Sequence, residues 1–302
     1  MQAIVFNEFG GPEVLRSTET DEPHAGPGQV RVKVRAAGVN PIDYKIRRGW
    51  MESAFPTSLP AIPGSELAGV VDEVGEGVTQ YAVGDEVFGW SDTGAYAEYA
   101  LASTVVPKPA ELSWQDAVAL PVASETAQRV LDLLGVTEGE TLLLHGAAGV
   151  VGSVGVQLAV ARGVTVIGTA SPANHDHLRV LGAIPVAYGD GLAERVRAVA
   201  PQGVDAVFDA AGRGALPDSI ELRGGTTDRI VTIADAAAAD LGVTFSSGGT
   251  DRPQDRLAEH AQLAAEGGLR LTVAETFPLA QAAKAQELSE SGHTRGKLVL
   301  IP

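Results

Sequence analysis

The segment with the most chemical content is Leu144-His145-Gly146-Ala147-Ala148-Gly149-Val150-Val151-Gly152. Small residues at Gly146, Ala147, Gly149 and Gly152 let a backbone turn sharply out of a strand and come close to an anion. Val150 and Val151 then open a helix whose positive end faces that anion. Set against G-x-G-x-x-G, the segment has Ala147 in the first place and Gly149 and Gly152 in the second and third. Set against G-x-x-G-x-x-G, it starts at Gly146. Both readings describe a cradle for the pyrophosphate of a dinucleotide, with Gly152 letting the helix pack closely on the sheet. As a bare pattern this is equally a tight turn; its place between a predicted strand and a predicted helix favours the cofactor.

The next strand selects the cofactor. A site for NADH carries an acidic residue about 20 residues past the turn, bonded to the ribose hydroxyls. Here the chain reads Ile167-Gly168-Thr169-Ala170-Ser171-Pro172-Ala173-Asn174, and the first carboxylate is Asp176. Ser171 and Asn174 are short donors, with His175 and Arg179 following. Such a set accepts a 2′-phosphate and favours NADPH. The plainer alternative is that Asn174 caps a helix and Arg179 lies in solvent.

These residues need a particular scaffold. From Thr141 onward, short apolar strands alternate with helices: strands at Thr141–His145, Val164–Thr169, Ile184–Tyr188, Asp205–Asp209, Arg229–Ile233 and Val243–Phe245, helices at Val151–Arg162, Asn174–Leu181 and Leu192–Val199. That alternation predicts a parallel sheet covered on both faces. The first hundred residues are β-like instead. Val30-Arg31-Val32-Lys33-Val34-Arg35 alternates apolar and basic residues with period two, as in a strand with one buried face. Further β-like runs are Leu67–Val74, Glu86–Gly89 and Ala95–Leu101, with one helix at Pro41–Arg48. The tail is mixed: a helix around Arg252–Glu266, a strand near Leu269–Thr276, a helix at Leu279–Ser289 and a last strand at Lys297–Ile301. The pattern is an α/β chain with a nucleotide-binding domain inserted into a β-rich one.

Composition narrows the partners. Among 302 residues, 22 Lys and Arg against 38 Asp and Glu give a net charge of −16, which disfavours nucleic acid. No cysteine is present, so disulfides, thiol catalysis and thiolate metal sites are excluded. Thr141 to Ala161 lacks charged residues and has the length of a membrane span. Its four glycines, with His145 and Gln157, break it into strand, turn and helix. With no basic region ahead of an apolar stretch at the start, a cytoplasmic protein with no membrane partner is expected.

Several segments together resemble the zinc-independent quinone oxidoreductase branch of the medium-chain dehydrogenase/reductase superfamily. They are Val39-Asn40-Pro41-Ile42-Asp43, Pro63-Gly64-Ser65-Glu66-Leu67-Ala68-Gly69, Val83-Gly84-Asp85-Glu86-Val87, Leu120-Pro121-Val122-Ala123 with Thr126, and His145-Gly146-Ala147-Ala148-Gly149. The resemblance implies a GroES-like β-barrel catalytic domain at 1–113 and 267–302, with a Rossmann NADPH-binding domain at 114–266. It also implies hydride transfer from NADPH to a quinone or an α,β-unsaturated carbonyl substrate. Zinc dehydrogenases of the superfamily carry a Cys at or just before the position of Asn40 and Gly-His-Glu where this chain has Gly64-Ser65-Glu66. No metal site is therefore expected, nor alcohol oxidation.

By the same resemblance, Asn40 contacts nicotinamide ribose or substrate, its plainer role being a cap for the Pro41 helix. Tyr44 and Lys45 on that helix are candidate donors to a substrate oxygen, or ordinary amphipathic helix residues. Thr126 matches a position facing the nicotinamide, although Ser124-Glu125 precedes it in place of the usual Gly-Leu or Gly-Val. Tyr188 matches a tyrosine near the adenosine 2′-phosphate. Arg295 and Lys297 lie in a region that relatives bring towards the cofactor; surface charge is their simpler reading. A homodimer paired through Leu241–Phe245 is expected. Two alternatives stay open. One is an enoyl thioester reductase, disfavoured by Met51 where some of those carry a tyrosine. The other is a non-catalytic, crystallin-like NADPH-binding protein. The loops Trp50–Thr57 and Ser246–Arg252 carry no motif that names the substrate.

Overall fold

A computed structural model describes residues 1–248, 252–292 and 294–302. Residues 249–251 of the loop Ser246–Arg252 lie outside that description. The chain forms two compact units, Met1–Val122 with Arg252–Pro302, and Ala123–Asp251.

The first unit begins with an antiparallel pair, β1 (Gln2–Val5) and β2 (Arg16–Glu19). The period-two segment forms β3 (Val30–Val39), with Val30, Val32 and Val34 buried and Lys33 and Arg35 exposed. Helix α1 (Pro41–Arg47) follows at once, opened by a proline whose fixed φ and missing N–H suit a first turn. Strands β4 (Glu66–Val74), β5 (Glu86–Trp90), β6 (Tyr99–Ala102) and β7 (Thr104–Pro107) come next. A short α2 (Trp114–Val118) is capped by the Ser113 hydroxyl, which accepts from the Asp116 N–H at 3.0 Å. Helix α3 (Pro121–Leu134) starts in the last two residues of this segment and continues in the second unit.

The second unit alternates as its apolar runs require: β8 (Thr141–His145), α4 (Val150–Ala161), β9 (Thr165–Ala170), α5 (His175–Val180), β10 (Ile184–Ala187), α6 (Leu192–Val199), β11 (Ala206–Asp209), α7 (Leu216–Leu222), β12 (Ile230–Thr232), α8 (Ala238–Leu241) and β13 (Thr244–Phe245). The six strands are all parallel in the order β10-β9-β8-β11-β12-β13. Leu143, Ile167, Val207 and Ile230 form one buried row across the sheet beside Leu192, Val196 and Leu216. Leu144 and Phe208 point the other way, onto α4, where an added Cβ on Gly155 would lie 3.2 and 3.3 Å from them. Both faces are therefore covered, and the strand interiors are apolar apart from Thr169 in β9. The uncharged run 141–161 is thus a buried strand, a turn and a 12-residue helix. No described helix is long and apolar enough to cross a membrane.

The chain then returns to the first unit with α9 (Gln254–Ala265), β14 (Val273–Pro278), α10 (Ala282–Ser291) and β15 (Lys297–Ile301). Here the sheet runs β14-β15-β3-β4-β5-β7, with β6 also on β3. Arg47 is fully buried and donates to Gln286 Oε1 at 2.9 Å and Glu290 Oε2 at 2.8 Å, fastening α1 to α10.

Candidate functional site

Strand β8 brings His145 to the C-terminal edge of the parallel sheet, beside β11, where the strand order reverses. Open α/β sheets take their ligands at that place. Gly146 has φ +74°, a left-handed conformation that suits glycine. The Ala147 N–H donates to Thr169 O at 3.1 Å and ties the turn to β9. At Gly152 an added Cβ would fall on Gly146 O and within 2.7 Å of Ala147 Cα, so α4 reaches the turn only without a side chain there. At Gly149 an added Cβ would meet Gly146 O at 3.4 Å and nothing nearer. The first-turn amides of Val150, Val151 and Gly152 have no intrahelical acceptor and are available to an anion. Beneath the turn His145 is buried. Its Nε2 donates to Ser219 Oγ at 2.9 Å, because that hydroxyl spends its own hydrogen on Ala215 O. Burial lowers its pKa, so it stays a neutral support for the turn.

The end of β9 is free of carboxylates. Asn174 stands at the N-cap of α5 without a side-chain cap bond; its Nδ2 donates to Ser171 Oγ at 3.3 Å. The predicted helix from Asn174 begins with a 3-10 turn at Pro172–Asn174 and becomes α-helical only at His175. His175 Nε2 is buried without a hydrogen-bond partner. Arg179 is exposed and paired with Asp176 at 2.5 Å. Ser171 and Tyr188 stand one residue beyond the paired Ala170 and Ala187, and Tyr188 is 60% exposed. These groups and the glycine turn therefore share one edge of the sheet. Thr126 is buried on α3, next to Glu125, whose carboxylate pairs with Arg129 at 2.7 Å.

In the first unit Asn40 joins β3 to α1 and is 3% exposed. Its backbone N–H donates to Asp43 Oδ2 at 2.8 Å, so the helix start is supported by Asp43. The Asn40 side chain is engaged elsewhere: Nδ2 donates to Glu66 Oε1 at 2.7 Å, and Oδ1 accepts from Lys297 Nζ at 2.7 Å. Lys297 and Glu66 form an ion pair at zero side-chain exposure. Burial pushes the Asp43 carboxyl up to about 7, although it also accepts from the Tyr96 hydroxyl at 2.9 Å. Tyr44 meets Trp50 edge to face at 6.3 Å between centroids. Lys45 is half-buried, and burial lowers its pKa. Lys297 is thus no surface charge, whereas Arg295 is exposed. Glu66 and Lys297 were the residues whose part sequence reasoning missed. Their signal was available: each charge opens a strand whose next residues are uncharged, Leu67–Val71 after Glu66 and Leu298–Ile301 after Lys297, and two such strands with opposite charges invite a buried pair.

Two family profiles match the chain: the alcohol dehydrogenase GroES-like domain over residues 26–110 and the zinc-binding dehydrogenase over residues 181–300. Mouse quinone oxidoreductase is 33% identical, covering 100% of this chain and 98% of that protein. The solved quinone oxidoreductase of Coxiella burnetii is 34% identical with a TM-score of 0.89, covering 100% of this chain and 99% of the other. The chain belongs to the quinone oxidoreductase branch of the medium-chain dehydrogenase/reductase superfamily. It is an oxidoreductase with the GroES-like and Rossmann architecture expected. A mycobacterial protein solved in complex with NADPH is 30% identical with a TM-score of 0.86, each chain covered in full.

Although one matching profile is described as zinc-binding, the residues here do not fit zinc. The chain has no thiolate, and the Lys297 ammonium occupies both Asn40 Oδ1 and Glu66 Oε1. Among the described residues no group of three or more His, Cys, Asp or Glu side chains is arranged to hold a metal ion.

Proposed function

We propose that this quinone oxidoreductase relative is an NADPH-dependent, zinc-independent reductase of quinones or α,β-unsaturated carbonyl compounds. The observation that carries the reading is the glycine turn with free first-turn amides on α4, followed by a carboxylate-free end of β9. Bound NADPH supplies the hydride. Gly146, Ala147, Gly149 and Gly152 admit the pyrophosphate, and the amides of Val150 and Val151 donate to it. Ser171, Asn174, His175 and Tyr188 receive the 2′-phosphate; the unpartnered His175 Nε2 and the absence of a nearby carboxylate suit that group. Thr126 and Asn40 contact the nicotinamide end. Tyr44 or Lys45 donates a hydrogen bond to the substrate carbonyl oxygen as it gains charge, and the lowered pKa of Lys45 favours release of its proton.

The protein is further read as a cytoplasmic homodimer. The outermost strand β13 has a neighbour on one side only and an exposed Phe245, so a second copy would complete it. Light scattering giving a mass of 31.1 kDa at micromolar concentration would contradict this.

Turnover tests the function directly. NADPH oxidation is measured with a panel of quinones, enones and enoyl thioesters, with NADH in parallel. Quinone or enone turnover, with NADPH bound more tightly than NADH, is expected. Turnover confined to thioesters would move the protein to the enoyl reductases. Cofactor binding without turnover on any member would make it a binding protein.

A further inference from the structure

Lys297 opens β15 with its ammonium enclosed; the residue is 1% exposed, and Glu66 is fully buried. In the sheet β15, β3 and β4 are neighbours in that order, so β3 lies between the strands that carry the two charges. At the crossing β3 has Gly38, where an added Cβ would land on Glu66 Oε1 and lie 2.7 Å from Lys297 Cε. The central strand leaves out a side chain where the ion pair passes. The other Glu66 oxygen, Oε2, accepts the Val122 N–H at 2.9 Å at the start of α3.

Burying both charges forfeits their hydration, and an apolar pair often packs as stably, so stability is a weak reason for this arrangement. Orientation is a stronger one. The Asn40 amide has one acceptor and two donors. Oδ1 rests on the ammonium, and one Nδ2–H rests on the carboxylate. Inverting the amide would set its NH2 against the ammonium and its oxygen against the carboxylate. One orientation is left.

We propose that Lys297 is a positioning residue for the reduction: through Glu66 and Asn40 Oδ1 it locks the Asn40 amide, so that the second Nδ2–H is presented to cofactor or substrate. This rests on the reading of Asn40 given under the proposed function. Lys297 is enclosed and acts only through its neighbours.

The test is a cycle built on a neutral pair, Lys297→Met with Glu66→Gln, which leaves no unpaired charge. With para-benzoquinone and NADPH, the neutral pair is expected to keep its melting temperature while kcat falls roughly 10- to 100-fold, the scale of a misplaced orienting group. Adding Asn40→Ala to it is expected to lower kcat no further, because both changes remove the same positioned donor. A neutral pair with kcat within about twofold of the parent, or a full additional loss on adding Asn40→Ala, would overturn the proposal. Asn40→Ala alone separates the two ideas: with kcat, KM and NADPH affinity all unchanged, the reading of Asn40 itself fails. Should the neutral pair not fold, nitrogen-edited proton spectra of the unaltered holoprotein decide. The Asn40 Nδ2 protons should exchange far more slowly than those of an exposed asparagine; equal exchange would refute the lock.

Discussion

Asp43 shows how much one buried carboxyl shapes the pH response. Burial raises it from the ordinary 3.8 to about 7, against the opposing pull of the Asn40 N–H, the Tyr96 hydroxyl and Lys297, with Glu66 adding repulsion. Between about pH 4 and pH 7 the folded chain therefore holds a proton that the unfolded chain has released. Stability falls as pH rises through that window and is flat above it, by about 1.4 kcal/mol per pH unit at most and on the order of a few kcal/mol in all. Asp43→Asn removes the titration. Urea unfolding of both proteins from pH 5 to pH 8 should show the variant gaining on the parent as pH rises. Parallel curves would mean that Asp43 is ionised throughout. The sequence placed Asp43 in a helical first turn, but its burial depends on Tyr96, 53 residues away, which no local pattern reveals. Lys297 likewise finds its partner only once β4 is set two strands from β15.

At the level of elements, the glycine turn separates two jobs that its consensus merges. Gly152 is required by the fold, because a Cβ there collides with Gly146 O and Ala147 Cα. Gly149 is not, since its φ of −73° is ordinary and a Cβ meets nothing closer than 3.4 Å. Gly152→Ala should therefore cost about 1–3 kcal/mol of stability as well as cofactor affinity. Gly149→Ala should leave the melting temperature unchanged yet weaken NADPH binding about tenfold or more, by filling phosphate space. Calorimetry with and without NADPH distinguishes them, and a loss of melting temperature at Gly149 would refute the division. The strands of the second unit were legible because both sheet faces are covered, which leaves short apolar runs such as Leu142–Leu144 within β8. The strand expected near Leu269–Thr276 lies instead at Val273–Pro278: it is an edge strand with four of its six residues exposed and one register shift, so its pattern is weak. Helix α3 escaped notice because Ser124, Glu125 and Thr126 interrupt its apolar spacing near the start, two of them being buried there. The six strands of the parallel sheet lie within one residue of their expected bounds, whereas α3, the position of β14 and the contacts between distant strands were not legible.

On the scale of the whole molecule, the charge of −16 sets a background against which an anionic cofactor must bind. The described cations near the 2′-phosphate end are committed elsewhere. Arg179 pairs with Asp176, and Arg195 donates to the carbonyls of Ala187 at 3.0 Å, Gly189 at 2.9 Å and Asp190 at 2.7 Å. The groups assigned to the phosphates are backbone amides and the side chains of Ser171, Asn174, His175 and Tyr188, none of them Lys or Arg. Salt screens distant charges more than close hydrogen bonds, and between about 10 mM and about 150 mM the Debye length shrinks from about 30 Å to about 8 Å. For this chain the distant charges repel the cofactor, while the close contacts are hydrogen bonds that salt leaves largely intact. NADPH affinity should consequently rise over that range by about two- to fivefold, opposite to the behaviour of a site built on Lys and Arg. Titration by NADPH fluorescence at several NaCl concentrations measures it. Affinity that falls with salt would place a free cation on the phosphate and require a new assignment of that end of the site.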